Sequence, residues 1–286
     1  MSETDVLVRC ASGEVPAPIA AMRVLMRAAT PEDARAQVCR ALERTLGDAR
    51  VRLQQVDELI ARHPSAWTTV RSLTAAVRHE PHAASWAELF DTAVKLSAEG
   101  SVALYTLGDP ELLEAATAEI VGLLATWAVL GRKRRALDIG CGIGRLEYAL
   151  ASLLRSIVGI DVSGEMIGEA RRRCAELRDV TFEVGSGCDL SRFAPGSFDL
   201  VLLVDTFPYL LLSSDDAANA CLREVSRVLR ADGDVVLFNV SYRGNWETDK
   251  ADLARLASKA GLQVQRSVEQ PCRLWDAPAF HLTARS

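Results

Sequence analysis

The sequence predicts an α/β fold: a seven-stranded, doubly wound, mostly parallel sheet with an antiparallel C-terminal hairpin strand, preceded by an α-helical N-terminal region. Three observations predict it. After Gly131, short β-rich runs alternate with helical stretches, the pattern of a parallel sheet wrapped by helices. The last two β-rich runs lie too close together for a helical crossover, so they pair antiparallel. Before residue 131, period-2 runs are scarce and helix start signals recur.

The elements follow in order. Thr30-Pro31-Glu32-Asp33 supplies an N-cap, a proline at the first helical position and acids in the first turn, with Gly47 closing that segment. Val51, Leu53, Val56, Leu59 and Ile60 make one apolar face of the next helix, which stops near His63-Pro64. Ser65 caps a further helix ending before Pro81, and another runs from Trp86 to Gly100. Asp109-Pro110-Glu111 starts a long helix. Buried strands are then predicted at Ala136–Ile139, Ile157–Ile160, Val180–Val184, Leu200–Val204 and Val235–Val240. Helices are expected over Arg145–Leu154, Gly164–Leu177, Asp215–Leu229 and Lys250–Ala260, with the closing hairpin at Leu262–Val268 and Arg273–Thr283.

Composition limits the function. With 33 Lys+Arg against 38 Asp+Glu, the formal charge of the 286 residues is -5. Residues 1–130 carry 12 basic and 17 acidic side chains (12 − 17 = −5), and residues 131–286 carry 21 of each (21 − 21 = 0). Neither part has the basic surplus of a nucleic-acid binder, and Arg132-Lys133-Arg134-Arg135 reads as the solvated start of a strand. Seven scattered cysteines without a Cys-x-x-Cys pair predict reduced thiols, and four scattered histidines form no metal set. The acidic start lacks the basic n-region of a secretory signal, and no apolar run reaches the ~20 residues that span a bilayer. A cytoplasmic protein with neither a membrane nor a nucleic-acid partner is expected.

The chemistry starts at Asp138-Ile139-Gly140-Cys141-Gly142-Ile143-Gly144-Arg145, an apolar strand ending in a glycine turn that opens a helix. Glycines there let a ligand approach backbone where any Cβ would collide. A dinucleotide fingerprint needs a third glycine at position 145, which is Arg145, so a nicotinamide cofactor is disfavoured. The next strand ends at Asp161, where a carboxylate can accept hydrogen bonds from both hydroxyls of a ribose.

From about Ala103 onward the chain resembles the class I S-adenosylmethionine-dependent methyltransferases, a Rossmann-like family, and in particular their small-molecule branch. The motifs that carry the resemblance are Leu137–Gly144, Val158–Met166 and Ser197–Val201, with a weaker match at Val228–Asp234. It implies a division into a helical region, 1–102, and a methyltransferase domain, 103–286. It also implies S-adenosyl-L-methionine as cofactor, no metal, and a small-molecule substrate. Asp138, Gly140, Cys141, Gly142, Gly144 and Arg145 would surround the methionine part, Asp161 the ribose, and Val162 and Met166 the adenine. The family commonly has Asp or Asn one residue past Gly185, where this chain has Ser186-Gly187-Cys188-Asp189. The adenine amino contact is assigned to Ser186 and its neighbours, with Asp189 as the alternative, or as a cap.

Methyl transfer from a sulfonium is an in-line displacement in which alignment alone supplies on the order of 7–11 kcal/mol, so no catalytic residue is obligatory. Asp205 and Tyr209, after the fourth strand, are the candidates next to the reacting methyl; the alternative is that Asp205 caps a turn and Tyr209 packs. Tyr242, Arg243 and Trp246 after the fifth strand, with Tyr105 upstream, are assigned to the substrate pocket. The expected reaction is methylation of an O or N atom of a small polar metabolite; protein or RNA methylation, or cofactor binding without transfer, are the alternatives. The helical region is assigned to a lid, a substrate element or the contact of a homodimer.

Overall fold

The computed structural model of the chain describes residues 3–79, 86–186 and 189–285. Two compact units result, Met1–Ala116 with Cys272–Asp276, and Thr117–Pro271 with Ala277–Ser286. The division falls within a helix, one element later than the position at 102/103 that the resemblance implied.

The first unit is helical: α1 (Glu3–Ser12), α2 (Ala17–Arg27), α3 (Pro31–Glu43), α4 (Gly47–Arg62), α5 (Ala66–His79), α6 (Trp86–Leu96), α7 (Ala98–Val102) and the start of α8 (Pro110–Thr126). Local chemistry sets the boundaries. Thr30 Oγ1 accepts from the Asp33 N–H at 3.1 Å, and Asp109 Oδ1 from Leu112 at 2.7 Å, satisfying first-turn donors as predicted. Two boundaries differ from expectation. Gly47 opens α4 rather than closing α3, because Thr45 and Arg50 side chains already cap the last carbonyls of α3. The helix expected from Trp86 to Gly100 breaks at Ser97, whose hydroxyl accepts from Gly100 and starts α7 afresh.

The second unit is a seven-stranded sheet in the order β3-β2-β1-β4-β5-β7-β6. The strands are β1 (Gly131–Ile139), β2 (Leu154–Asp161), β3 (Val180–Val184), β4 (Phe198–Val204), β5 (Leu229–Phe238), β6 (Leu262–Val268) and β7 (Ala279–Ala284). Strands β1 to β5 pair in parallel, while β7 lies antiparallel to both β5 and β6. The covering helices are α9 (Arg145–Leu150), α10 (Gly164–Arg173), α11 (Phe207–Ser213), α12 (Asp215–Val228) and α13 (Trp246–Lys259). Leu137, Val201, Leu203, Leu237 and Phe280 are fully buried between sheet and helices.

Strand order reverses at the β1/β4 pair, so the connections leaving these neighbours diverge and open a crevice at their carboxyl ends. The last strand is shorter than expected. The predicted run began at Arg273, but Cys272–Asp276 belongs to the helical unit, where Trp275 stacks on Tyr105 and Asp276 accepts from Arg23, so β7 starts at Ala279. Among the described residues no helix is long and apolar enough to cross a membrane.

Candidate active site at the carboxyl ends of the parallel strands

Strand β1 runs straight into the glycine turn. Gly140, Gly142 and Gly144 have φ of 77°, 55° and 74°, the left-handed region that side chains rarely enter. Gly140 is also constrained by space, since a Cβ there would fall inside the Thr206 side chain. Thr206 in turn donates from Oγ1 to the Ile139 carbonyl at 2.8 Å, tying the end of β4 to the end of β1. The Gly140 and Cys141 N–H groups donate to Ile160 O, which holds the turn against β2.

Asp161 ends β2 and is buried. Its Oδ2 accepts from the Gly142 N–H and its Oδ1 from Ser163, each at 2.9 Å, so one carboxylate fixes both the glycine turn and the start of α10. Asp138, at the end of β1, is also buried, and burial pushes its carboxyl up to about 7 against the pull of Glu147 and Arg145. Its neighbour is Glu147, in the first turn of α9, raised well above its ordinary range by burial and by Asp138. Glu147 was absent from the residues singled out in the sequence. A Cβ on Gly159 would stand only 2.7 Å from the Glu147 Oε1, and Gly159 pairs with Asp138 across β1 and β2. A glycine inside a strand signals such a close approach, although not the partner.

The remaining predicted cofactor residues divide. Cys141 is buried, and burial together with the nearby acids keeps its thiol protonated. Arg145 is buried and donates to Thr117 Oγ1 at 3.3 Å. Val162 is half-buried just past Asp161, whereas Met166 is buried within α10. Ser186 Oγ accepts from Asp189 N–H, and Asp189 Oδ1 accepts from Ser191, so both side chains make local turn contacts. Gly187 and Cys188 lie outside the described residues.

A second cluster forms where β4 and β5 end. Asp205 and Asn239, each just past its strand, both have positive φ, 59° and 63°. Asp205 Oδ1 accepts from Asn239 Nδ2 at 2.8 Å and from the Tyr242 hydroxyl at 3.1 Å. Tyr209, in the first turn of α11, meets Tyr242 edge to face at 5.7 Å between ring centres. Desolvation of their hydroxyls and the Asp205 carboxylate push both tyrosines above their ordinary range, so they stay protonated and act as donors. Asp205 and Tyr209, predicted together after the fourth strand, are thus brought to Tyr242, predicted after the fifth, with Asn239 as an added member that anchors the carboxylate.

Other residues assigned to the substrate pocket are placed differently. The Arg243 guanidinium donates to Ser241, Asp249 and Asp252 at 2.7–2.9 Å, so it clamps its own loop and is not a free cation for a substrate anion. Trp246 begins α13 and stacks on Phe280 of β7 at 5.4 Å. Tyr105 is buried and stacks on Trp275 within the helical unit.

Comparisons with known proteins agree with this geometry. Residues 136–233, from within β1 into β5, match the family model described as a methyltransferase domain. A probable S-adenosylmethionine-dependent methyltransferase of Saccharomyces cerevisiae is 26% identical over 136 residues, 42% of this chain and 45% of the relative. A ubiquinone biosynthesis O-methyltransferase of Thiobacillus denitrificans is 29% identical over 153 residues, 46% of this chain and 66% of the relative. A solved phosphoethanolamine N-methyltransferase of Haemonchus contortus superposes with a TM-score of 0.54 at 20% identity, over 70% of this chain and 50% of that one, a likeness of fold. The chain spans about half the length of the first curated relatives it matches. The second unit thus has the fold of a methyltransferase domain, matches that family model over residues 136–233, and is similar to S-adenosylmethionine-dependent methyltransferases.

Proposed function

We propose that the protein transfers a methyl group from S-adenosylmethionine to an O or N atom of a small polar metabolite. The observation that carries this reading is the placement of two clusters beside one another at the β1/β4 reversal. The glycine turn follows β1, the Asp205 cluster follows β4, and the Thr206 to Ile139 hydrogen bond joins them. The residues present fit the cofactor. The left-handed glycines leave approachable backbone for its methionine part, Asp161 stands at the strand end for its ribose, and Val162 is half-buried for its adenine.

The cofactor supplies a methyl group on a sulfonium. The protein's own task is to align an acceptor and manage its proton. Asp205, held by Asn239 and Tyr242, would orient a hydroxyl or amine and take its proton, while the rings of Tyr209 and Tyr242 would wall the acceptor. The name of the Thiobacillus relative supports an oxygen acceptor. The absence of a basic surplus supports a metabolite over RNA.

Incubating the protein with tritiated cofactor and a cell extract, then separating small molecules, protein and RNA, tests this. Label in the small-molecule fraction is expected. Label confined to protein or RNA overturns the acceptor class, and tight cofactor binding with label in no fraction overturns transfer itself.

A further inference from the structure

The Asp205 cluster leans on a buried acid that the mechanism above does not use. Tyr242, whose hydroxyl meets Asp205 and whose ring meets Tyr209, sits on the short loop between β5 and α13 and is 54% exposed. A half-exposed tyrosine on a loop does not hold one position unaided, since backbone and ring both gain entropy by moving. Its two chain neighbours supply the restraint. Ser241 Oγ accepts from the Arg243 N–H at 3.2 Å and from Arg243 Nε at 2.9 Å, closing a tight turn with Tyr242 at its apex. Both neighbours are then pinned to one carboxylate, because Asp249 Oδ1 accepts from Ser241 Oγ at 2.6 Å and from Arg243 Nη2 at 2.7 Å.

Asp249 is buried where its helix does not require it. It is 2% exposed in the first turn of α13, where an acid favours the helix N-terminus. Glu247 in that same turn does so from solvent, and Asn245 already caps the helix by accepting from Thr248 at 3.0 Å. A buried carboxylate needs donors, and those that the structure gives the Asp249 side chain come from the residues on either side of Tyr242. Asp252, one turn further along α13, also accepts from Arg243 at 2.8 Å, and Gly244, with φ of 66°, turns the chain from this clip into the helix.

We propose that Asp249 is a positioning residue of the acceptor site: through Ser241 and Arg243 it fixes Tyr242 against Asp205 and Tyr209. This rests on the reading of the Asp205 cluster as the place where the acceptor is aligned. The effect of Asp249 passes through Tyr242, which donates to the same Asp205 oxygen that Asn239 meets. Loss of the clip therefore leaves that oxygen with one donor fewer and the acceptor with a wall that moves.

The chain has four tyrosines, so tyrosine labelled with carbon-13 at Cζ gives four resonances in the full chain, and Tyr242→Phe assigns one of them. That carbon senses the hydrogen bond of its hydroxyl. In Asp249→Asn, which keeps the side-chain shape and drops the charge, the Tyr242 resonance should move toward that of Tyr148, which is 60% exposed, while Tyr105 and Tyr148 keep theirs. Glu247→Gln removes the same charge from the same turn and should leave all four in place; a helix merely weakened at its terminus would respond to both substitutions. Arg243→Gln, made at an exposed side chain, should reproduce the Tyr242 shift, and it carries the test if Asp249→Asn does not fold. In the tritium assay, small-molecule labelling from a dilute extract should slow about tenfold in the variant, with S-adenosylhomocysteine affinity held within about twofold. The deficit should narrow as the extract is concentrated, the mark of an effect on KM. An unmoved Tyr242 resonance, or an equal movement in Glu247→Gln, overturns the role of Asp249 and leaves the acceptor reading intact. A shifted resonance with labelling unchanged overturns both.

Discussion

The two ends of the parallel sheet solve the problem of buried charge in opposite ways. In the amino-terminal half, Asp234 of β5 accepts from Arg134 of β1 through one oxygen and meets His281 Nε2 of β7 through the other at 2.6 Å. His281 stacks on Trp127, and none of these residues has a positive φ. At the carboxyl ends, three glycines, Asp205 and Asn239 occupy the left-handed region, and the buried carboxyls of Asp138 and Glu147 meet each other with no outside donor among the described residues. A non-glycine residue in that region costs about 1–3 kcal/mol, which persists only where the surroundings enforce it. Both ends carry acidic and basic residues close together, so a polar cluster does not by itself mark a site. What differs is the carboxyls: among the described residues Asp234 is met by Arg134 and His281, although His281 Nδ1 has no partner of its own, whereas the buried pair of acids at the carboxyl ends has no such outside partners.

The sharpest way to break this contrast is Gly140→Val. It adds a side chain where φ is 77° and where even a Cβ overlaps Thr206, so the turn must move. Binding of S-adenosylhomocysteine should weaken more than a hundredfold by calorimetry; affinity within tenfold of the unaltered protein would mean that the turn does not face the cofactor. Asp205→Asn comes next. Asparagine tolerates the left-handed backbone and keeps the shape, so the fold should survive while an acceptor loses its base. Once an acceptor is identified, turnover should fall about a hundredfold, in the range that general-base removal produces, with cofactor affinity unchanged. Full turnover would leave Asp205 a mere cap. Asp161→Ala should weaken cofactor binding by tenfold or more, about 1.4 kcal/mol, since it removes both the ribose acceptor and the tether of Gly142.

How much of this was legible in the sequence follows from what each feature depends on. The glycine turn and Asp161 were visible because they depend on spacing along one strand-turn-helix unit, and the register of β1 on β2 then brings them together. Glu147 was not, because a glutamate one turn into a helix reads as solvent-facing, and its burial depends on the gap left by Gly159 on a different strand. Asp205 and Tyr242 could be placed at strand ends, but their meeting depends on Asn239 turning back through a positive φ. Arg243 was misplaced for the same reason, and Arg134, alone in a cluster that is otherwise the exposed strand start expected, is half-buried and paired. An arginine next to a loop or a strand start looks free until tertiary structure supplies Asp249 and Asp252, or Asp234. The strand assigned from Arg273 was lost because alternation cannot report that a segment is drawn into another unit.

The smallest expected effect comes from Asp234, the carboxylate that is met, and it tests the contrast from the other side. Burial alone would raise the Asp234 carboxyl, but hydrogen bonds from His281 and Arg134 outweigh it and hold it below the ordinary range. A carboxyl depressed in the folded state adds stability above its unfolded value of about 3.9, and that stability is lost as pH falls through the folded value. Asp234→Asn keeps one acceptor for Arg134 and loses the charge, a deficit of about 1 kcal/mol, or roughly 2–4 °C in melting temperature for a unit of this size. The deficit should be present at pH 7 and shrink as the medium is acidified below about pH 3.9. Cofactor affinity should not change. If it falls tenfold while the melting temperature holds, the amino-terminal half takes part in the site, and the division of labour between the two ends of the sheet is wrong.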